Sequence, residues 1–139
     1  FHHLEELIIS GDTYGEAKMD LIPPEIGQLS KLRKLEISGF RELKSLPKEI
    51  GKLMNLEYLQ LSENNINSIS ALTNLTNLTS LNLYYCRSLQ NVDGLANLTN
   101  LTSLDLRSCN KVHPKPSKDK MTTREEVAAY QEEIKKSMK

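Results

Sequence analysis

The chain has 139 residues, with 18 basic against 18 acidic side chains and a formal net charge of zero. That balance implies no global attraction to nucleic acid or to an anionic membrane surface, and no apolar run approaches the ~18 residues of a membrane span. Trp is absent and Phe occurs only 2 times, so any core must be filled by branched aliphatics.

In chain order, the apolar residues repeat one frame five times. The frames are Leu4-x-x-Leu7-x-Ile9, Leu32-x-x-Leu35-x-Ile37, Leu56-x-x-Leu59-x-Leu61, Leu78-x-x-Leu81-x-Leu83 and Leu101-x-x-Leu104-x-Leu106. Successive first leucines lie 28, 24, 22 and 23 residues apart. A period of this length predicts a solenoid, in which no unit can bury its apolar face without a neighbour. The first unit fits with a four-residue insertion near Gly11–Lys18, after which Ile22–Leu29 overlays Leu46–Leu53. The stretch Leu72–Thr79 recurs as Leu95–Thr102.

These frames resemble the leucine-rich repeat family over about residues 1–113. The Leu-Pro-x-Glu-Ile-Gly-x-Leu segment resembles repeats of plant intracellular and bacterial leucine-rich proteins, and the Leu-Thr-Asn-Leu-Thr-Asn-Leu segments resemble those of bacterial internalin-like surface proteins. The resemblance implies an α/β fold: a curved right-handed coil with a parallel β-sheet on its concave face and short helices or turns on its convex face. Strands are expected near 6–10, 34–38, 58–62, 80–84 and 103–107. Because the family binds diverse partners, it implies a binding module and names no partner.

Side chains alternate across a strand, so the frame leucines point inward and three outward columns form. They are Glu6, Lys34, Tyr58, Ser80 and Ser103; then Ile8, Glu36, Gln60, Asn82 and Asp105; then Ser10, Ser38, Ser62, Tyr84 and Arg107. Tyr and Arg are enriched at interface hot spots, which singles out Tyr58, Tyr84, Tyr85 and Arg107. The expected partner-binding set is Lys34, Glu36, Tyr58, Gln60, Asn82, Tyr84, Asp105 and Arg107. Read blandly, these are ordinary solvated strand residues.

Three residues beyond each last frame position stand Asp12, Phe40, Asn64, Cys86 and Cys109. The family resemblance implies a buried Asn or Cys here, bonded to neighbouring backbone, and Phe40 departs from it, so the ladder is expected to break or repack at that unit. Cys86 and Cys109 should be close but parallel, which favours free thiols over a disulfide. His113 adds too few ligands for a metal. The sequons at Asn74, Asn77, Asn97 and Asn100 arise from the repeat wording and read as convex-side turn caps rather than glycan sites.

Residues 114–121 form a polar, proline-bearing connector that cannot continue the ladder. Beyond it, Thr122-x-x-Glu125 predicts a capping box, opening an amphipathic helix over 122–138. Val127, Tyr130, Ile134 and Met138 form its apolar stripe, and Glu132 with Lys136 makes an i,i+4 pair. The helix reads as a cap over the last unit; projection toward a partner or a second copy is the alternative. At the other end Phe1 and Leu4 have no cover, so self-association through that end is expected. The chain opens with neither Met nor a signal-like segment, which reads as a fragment or a processed chain, of undetermined compartment.

No nucleophile–base constellation, phosphate loop or metal cluster stands apart from the repeats, so no enzyme activity and no cofactor are expected. The reading is a protein-recognition module that uses the concave sheet. The alternative is the substrate-recognition portion of a larger bacterial effector or surface factor, and a plain structural spacer is weaker still.

Overall fold

The computed structural model describes residues 3–11 and 18–139. Phe1, the turn position at Asp12 and most of the expected insertion near Gly11–Lys18 lie outside these residues. The described chain is a leucine-rich solenoid. Five parallel strands, β1 (Glu6–Ser10), β2 (Lys34–Ser38), β3 (Tyr58–Gln60), β4 (Ser80–Asn82) and β5 (Ser103–Asp105), lie in sequence order in one sheet. The return path of each coil carries a short 3-10 turn, at Pro24–Gln28, Lys48–Lys52, Ser70–Leu72 and Asp93–Leu95. A two-residue strand β6 (Lys120–Met121) then pairs antiparallel with β5, and helix α1 (Arg124–Ser137) ends the fold.

The register aligns Leu7, Leu35, Leu59, Leu81 and Leu104 across the sheet. From β2 to β5 these leucines are 0 to 1% exposed. Behind them stack Leu43, Ile66, Leu89 and Val112 from the turns and Ile50, Leu72 and Leu95 from the 3-10 segments, forming one continuous apolar column. Each fully buried aliphatic side chain contributes roughly 1.5–3 kcal/mol, but only while the next coil lies over it.

Strands β3 to β5 are two residues shorter than the frame suggested, and the cause is a consistent exchange of hydrogen bonds. The Gln60, Asn82 and Asp105 side chains accept from the backbone N–H of Ser62, Tyr84 and Arg107 at 2.8, 2.9 and 3.0 Å. The carbonyl oxygens left over on the preceding coil receive side-chain donors: Asn64 Nδ2 donates to Ile37, Cys86 Sγ to Leu61 and Cys109 Sγ to Leu83. Phe40 has no donor to offer, and the β1–β2 pairing accordingly runs on to Ser10 and Ser38. Rather than breaking the stack, Phe40 is buried, and its N–H donates to Asn64 Oδ1 at 2.9 Å.

One residue earlier, Gly39, Glu63, Tyr85 and Ser108 all have positive φ, between 61° and 82°. There the chain turns out of the strand, and the N–H of Gly39, Glu63 and Tyr85 donates to the next coil's Ser62, Tyr84 and Arg107 carbonyls. Glycine adopts that conformation without a steric penalty, whereas the other three are held in it by the stack.

A second side-chain ladder runs where the chain enters each strand. Asn55, Asn77 and Asn100 donate to the carbonyls of Ser30, Met54 and Thr76 on the coil before. Two of the four sequon asparagines are thus staples between coils.

The C-terminal segment departs from its expected details. The helix spans Arg124–Ser137, and its N-cap is Thr123, whose Oγ1 accepts from Glu126 N–H at 3.2 Å. The acidic partner is therefore Glu126 rather than Glu125, and it accepts from Thr122 N–H at 2.9 Å. A hydrogen bond from Lys118, joined by that N–H, lowers the Glu126 carboxyl to about 2. Met138 lies past the helix and is exposed, and the surface pairs are Glu132–Lys135 and Glu133–Lys136, one residue closer in spacing than the expected pair.

The buried face consists of Val127, Tyr130, Ile134 and a polar residue, Gln131. Gln131 Nε2 donates to the Leu95 and Leu98 carbonyls at 2.8 and 2.9 Å, while Arg124 donates to Leu101 O and to Gln131 Oε1, both at 2.6 Å. The Leu95 and Leu98 carbonyls also accept from the Leu98 and Leu101 N–H groups, so the side-chain bonds add a second donor to each and tie the helix to the stack. Strand β6 likewise covers the edge of β5, and Leu106 N–H donates to Asp119 O. The connector does not extend the parallel ladder; it closes it.

Gln131→Ala removes a buried donor shared by two carbonyls and the acceptor of Arg124, and is expected to cost roughly 1–3 kcal/mol, read as a lowered urea midpoint with the same slope. Cys86 and Cys109 are free and buried, and burial pushes their thiols up to about 12 and about 11. Near pH 8 both are expected to react with an aromatic disulfide reagent at least ~100-fold more slowly in the folded chain than in urea. A fast-reacting thiol in the folded state would contradict this packing.

Candidate functional site

On the exposed side of the sheet two of the expected columns run in register through all five strands, while the third is paired only at Ser10 and Ser38, because Ser62, Tyr84 and Arg107 lie past the strand ends. Glu6, Lys34, Tyr58, Ser80 and Ser103 are aligned across the strands, as are Ile8, Glu36, Gln60, Asn82 and Asp105. Lys34, Glu36, Tyr58, Gln60, Asn82 and Tyr84 are half-buried, and Arg107 is exposed. All eight residues singled out from sequence share this face, but they do not share one role.

Asp105 is only 6% exposed. Its carboxylate accepts from Arg107 Nε at 3.0 and 3.2 Å and from Nη2 at 2.8 Å, in addition to the backbone N–H. Burial opposes ionisation, yet the hydrogen bonds from Arg107 hold the Asp105 carboxyl below its usual value. The same pair raises the Arg107 guanidinium. Asp105 is therefore a support that fixes Arg107, with little surface of its own to offer. Gln60 and Asn82 cap the strand ends with their carbonyl oxygens in the same way.

Arg107 lies over the Tyr84 ring at 5.2 Å, and Tyr84 meets Tyr85 at 5.9 Å between centroids with a 44° tilt. Arg87 in turn lies over Tyr85 at 5.4 Å. The result is a run of four groups, Arg87, Tyr85, Tyr84 and Arg107, anchored at one end by Asp105. All four stand in the turns that follow β4 and β5, and Tyr85 is placed by the positive-φ turn. Cation–aromatic contacts of this kind are worth about 0.5–1 kcal/mol at exposed sites. Their larger effect is to hold long side chains in a fixed arrangement. Sequence reading found both tyrosines and Arg107 but missed Arg87, because its register position lies in a turn rather than on a strand.

Further along the sheet Lys34 lies 5.3 Å over Tyr58 and 3.6 Å from Glu36. Arg33 bridges coils by pairing with Glu57 at 2.8 Å and with Glu5 at 3.8 Å. The Glu57 pairing lowers that carboxyl and raises Arg33. A polar groove of about 660 Å³ runs along this rim, lined by His3, Glu5, Arg33, Asn55, Glu57 and Thr79 among others. The rim was not singled out from sequence, since its residues precede the frame's alternating positions.

Among the described residues no cluster of three His, Cys, Asp or Glu side chains could hold a metal ion, and no helix is long and apolar enough to cross a membrane.

A family model described as a leucine-rich repeat region matches residues 2–128. Among solved structures, the chain is similar to a leucine-rich repeat protein of Leptospira interrogans, at 26% identity and a TM-score of 0.64, over 77% of this chain and 32% of that one. It is similar in fold to internalin C2 of Listeria monocytogenes, at 24% identity and a TM-score of 0.57, over 66% of this chain and 39% of that one. A plant ice-binding protein matches at 30% identity and a TM-score of 0.56, over 73% and 33% of the two chains. The chain thus spans about a third of the length of these structures. The stacked coils, their register and the family match agree: this chain belongs to the leucine-rich repeat family.

Proposed function

We propose that this chain is a protein-recognition module rather than an enzyme, and that its partner lies along the concave sheet. In this reading the coils up to residue 113 do the recognising, 114–121 connects, and the helical segment 122–138 caps the stack. The single observation behind the reading is the aromatic–cation run at one end of a largely polar sheet face. Interfaces concentrate their energy in a few Tyr, Trp and Arg side chains held in place before binding. Tyr58, Tyr84 and Arg107 have that character, with Lys34, Glu36, Gln60 and Asn82 as the polar surround and Asp105 as the brace beneath Arg107. Zero net charge argues for local shape and hydrogen bonding over long-range steering, and against nucleic acid as the partner.

A second reading treats the chain as the recognition portion of a longer bacterial effector or surface factor whose activity lies elsewhere. The match to only 32% of the Leptospira leucine-rich repeat protein favours it. Both readings place the contact surface on the same face.

The test is affinity capture with the wild-type chain and with Tyr58→Ala/Tyr84→Ala/Arg107→Ala, the latter first matched for its unfolding midpoint. Loss of about 2 kcal/mol at even one anchor weakens binding by roughly 30-fold. The triple variant is therefore expected to lose specific partners recovered by the wild type. If it folds normally and retains every one of them, the concave-face assignment is wrong.

A further inference from the structure

The neutral total hides an uneven distribution of charge along the sheet. Residues 64–86 carry no charged side chain. Before that gap the concave face holds Glu6, Lys34 and Glu36, with Glu63 in the turn after β3. Lys34 is engaged by Glu36 at 3.6 Å, so carboxylates are in excess there. Beyond the gap the sign reverses. Residues 80–121 contain Arg87, Arg107, Lys111, Lys115, Lys118 and Lys120 against only Asp93, Asp105 and Asp119. Asp93 stands on a 3-10 segment of the return path, and Asp105 is held by Arg107. That leaves Asp119, near enough to Arg107 to act on its charge.

Two of these cations border the tyrosine pair. Lys120 is opposite Asp105 in the antiparallel β5–β6 register, and directly opposed residues project to the same side of a sheet. Its side chain therefore belongs to the concave face. Arg87 lies over the Tyr85 ring at 5.4 Å, and its Nη1 donates to Tyr85 Oη at 3.5 Å. Both cations are exposed, and neither forms an ion pair with any described residue. A guanidinium packed on a ring keeps N–H groups at its edge, in a fork that matches a carboxylate. Lys118, by contrast, is already paired with Glu126.

We propose that the partner presents a short acidic segment to this end of the face, its carboxylates on Arg87 and Lys120 and its body against Tyr84 and Tyr85. This rests on the concave-face reading above and adds the chemistry of the partner at the β4–β6 end. Arg107 is neutralised by Asp105, so it serves as a packing anchor while Arg87 and Lys120 supply the charge. The extent of the patch selects a protein segment over nucleic acid. A polyanion long enough to make many phosphate contacts would run from the last coils onto Glu63, Glu36 and Glu6 and be repelled there. The same reversal of sign fixes the direction in which a partner lies along the sheet.

A display library of random dodecapeptides, selected on the full chain and followed by affinity measurements, tests the proposal. Selection is expected to enrich Asp and Glu. Raising the salt from about 0.05 to about 0.5 M should weaken the enriched peptides at least about tenfold. Arg87→Glu/Lys120→Glu, at exposed positions, should fold normally by circular dichroism and weaken them at least about tenfold. Arg87→Gln/Lys120→Gln should fall between it and the wild type. Lys48→Glu/Lys52→Glu makes the same change of net charge on a 3-10 segment and should bind as the wild type does. A selection that enriches nothing, or peptides without acidic residues, overturns the proposal. So do acidic peptides that survive the Arg87/Lys120 reversal, equal weakening by the Lys48/Lys52 control, or duplex DNA that binds as tightly as the peptides. The underlying reading is scored separately. Neutral peptides lost in Tyr58→Ala/Tyr84→Ala/Arg107→Ala leave the concave face standing, whereas peptides kept by that variant and by the reversal remove both.

Discussion

The coils of β3, β4 and β5 each depend on one hydrogen bond, made where the chain leaves its strand. There a side chain reaches back to a carbonyl of the coil before: Asn64 to Ile37, Cys86 to Leu61, Cys109 to Leu83. A tight turn placed against a buried core leaves backbone groups that water cannot reach, and such groups cost about 1–3 kcal/mol each when unpartnered. The donor at this position removes that cost, which lets the turn lie close to the core. The leucines can then stack at strand spacing without water between coils. Where the donor is missing, at Phe40, the backbone ladder runs on to Ser38 and an aromatic ring fills the interior.

The exposed face follows from the same exchange. Once the leftover carbonyl is taken by Asn or Cys, the N–H two residues beyond the end of the strand needs another acceptor. Gln60, Asn82 and Asp105 provide it, so the central column of the concave sheet is partly structural. What remains for a partner is concentrated on the flanking columns and in the turns behind them. Asp105 illustrates the coupling, since one carboxylate caps Arg107 N–H and fixes the Arg107 guanidinium over Tyr84. The arrangement of the face is inherited from the way the turns are satisfied.

The frame of leucines made the solenoid, the parallel order and the membership of each outward column legible in the sequence. All of these depend on residue spacing and side-chain alternation, which a linear chain displays directly. What the sequence concealed depends on pairings between coils. The shortening of β3 to β5 needed knowledge of which side chains replace backbone partners. The burial of Asp105 follows from β6 lying beside it, and a two-residue antiparallel strand has no periodicity to detect. Asn77 and Asn100 looked like repeat wording, and Asn55 carried no signal, because the acceptors of this ladder lie 23 to 25 residues earlier. In the helix, Gln131 lies four residues from Val127 and so on its buried face, where apolar periodicity gives no reason to expect an amide.

The central claim is that the donor at the strand exit, and not merely a small side chain there, holds adjacent coils together. Asn64 allows a direct measurement because it is 1% exposed and also accepts from Phe40 N–H. Asn64→Cys introduces the residue type that does this work in the next two coils, whereas Asn64→Ala keeps a small side chain and removes the donor. Urea unfolding of both variants should place Asn64→Cys within about 1 kcal/mol of the wild type and Asn64→Ala roughly 2 kcal/mol or more below it. Equal losses for the two would mean that packing alone, and not the hydrogen bond, sets the stack.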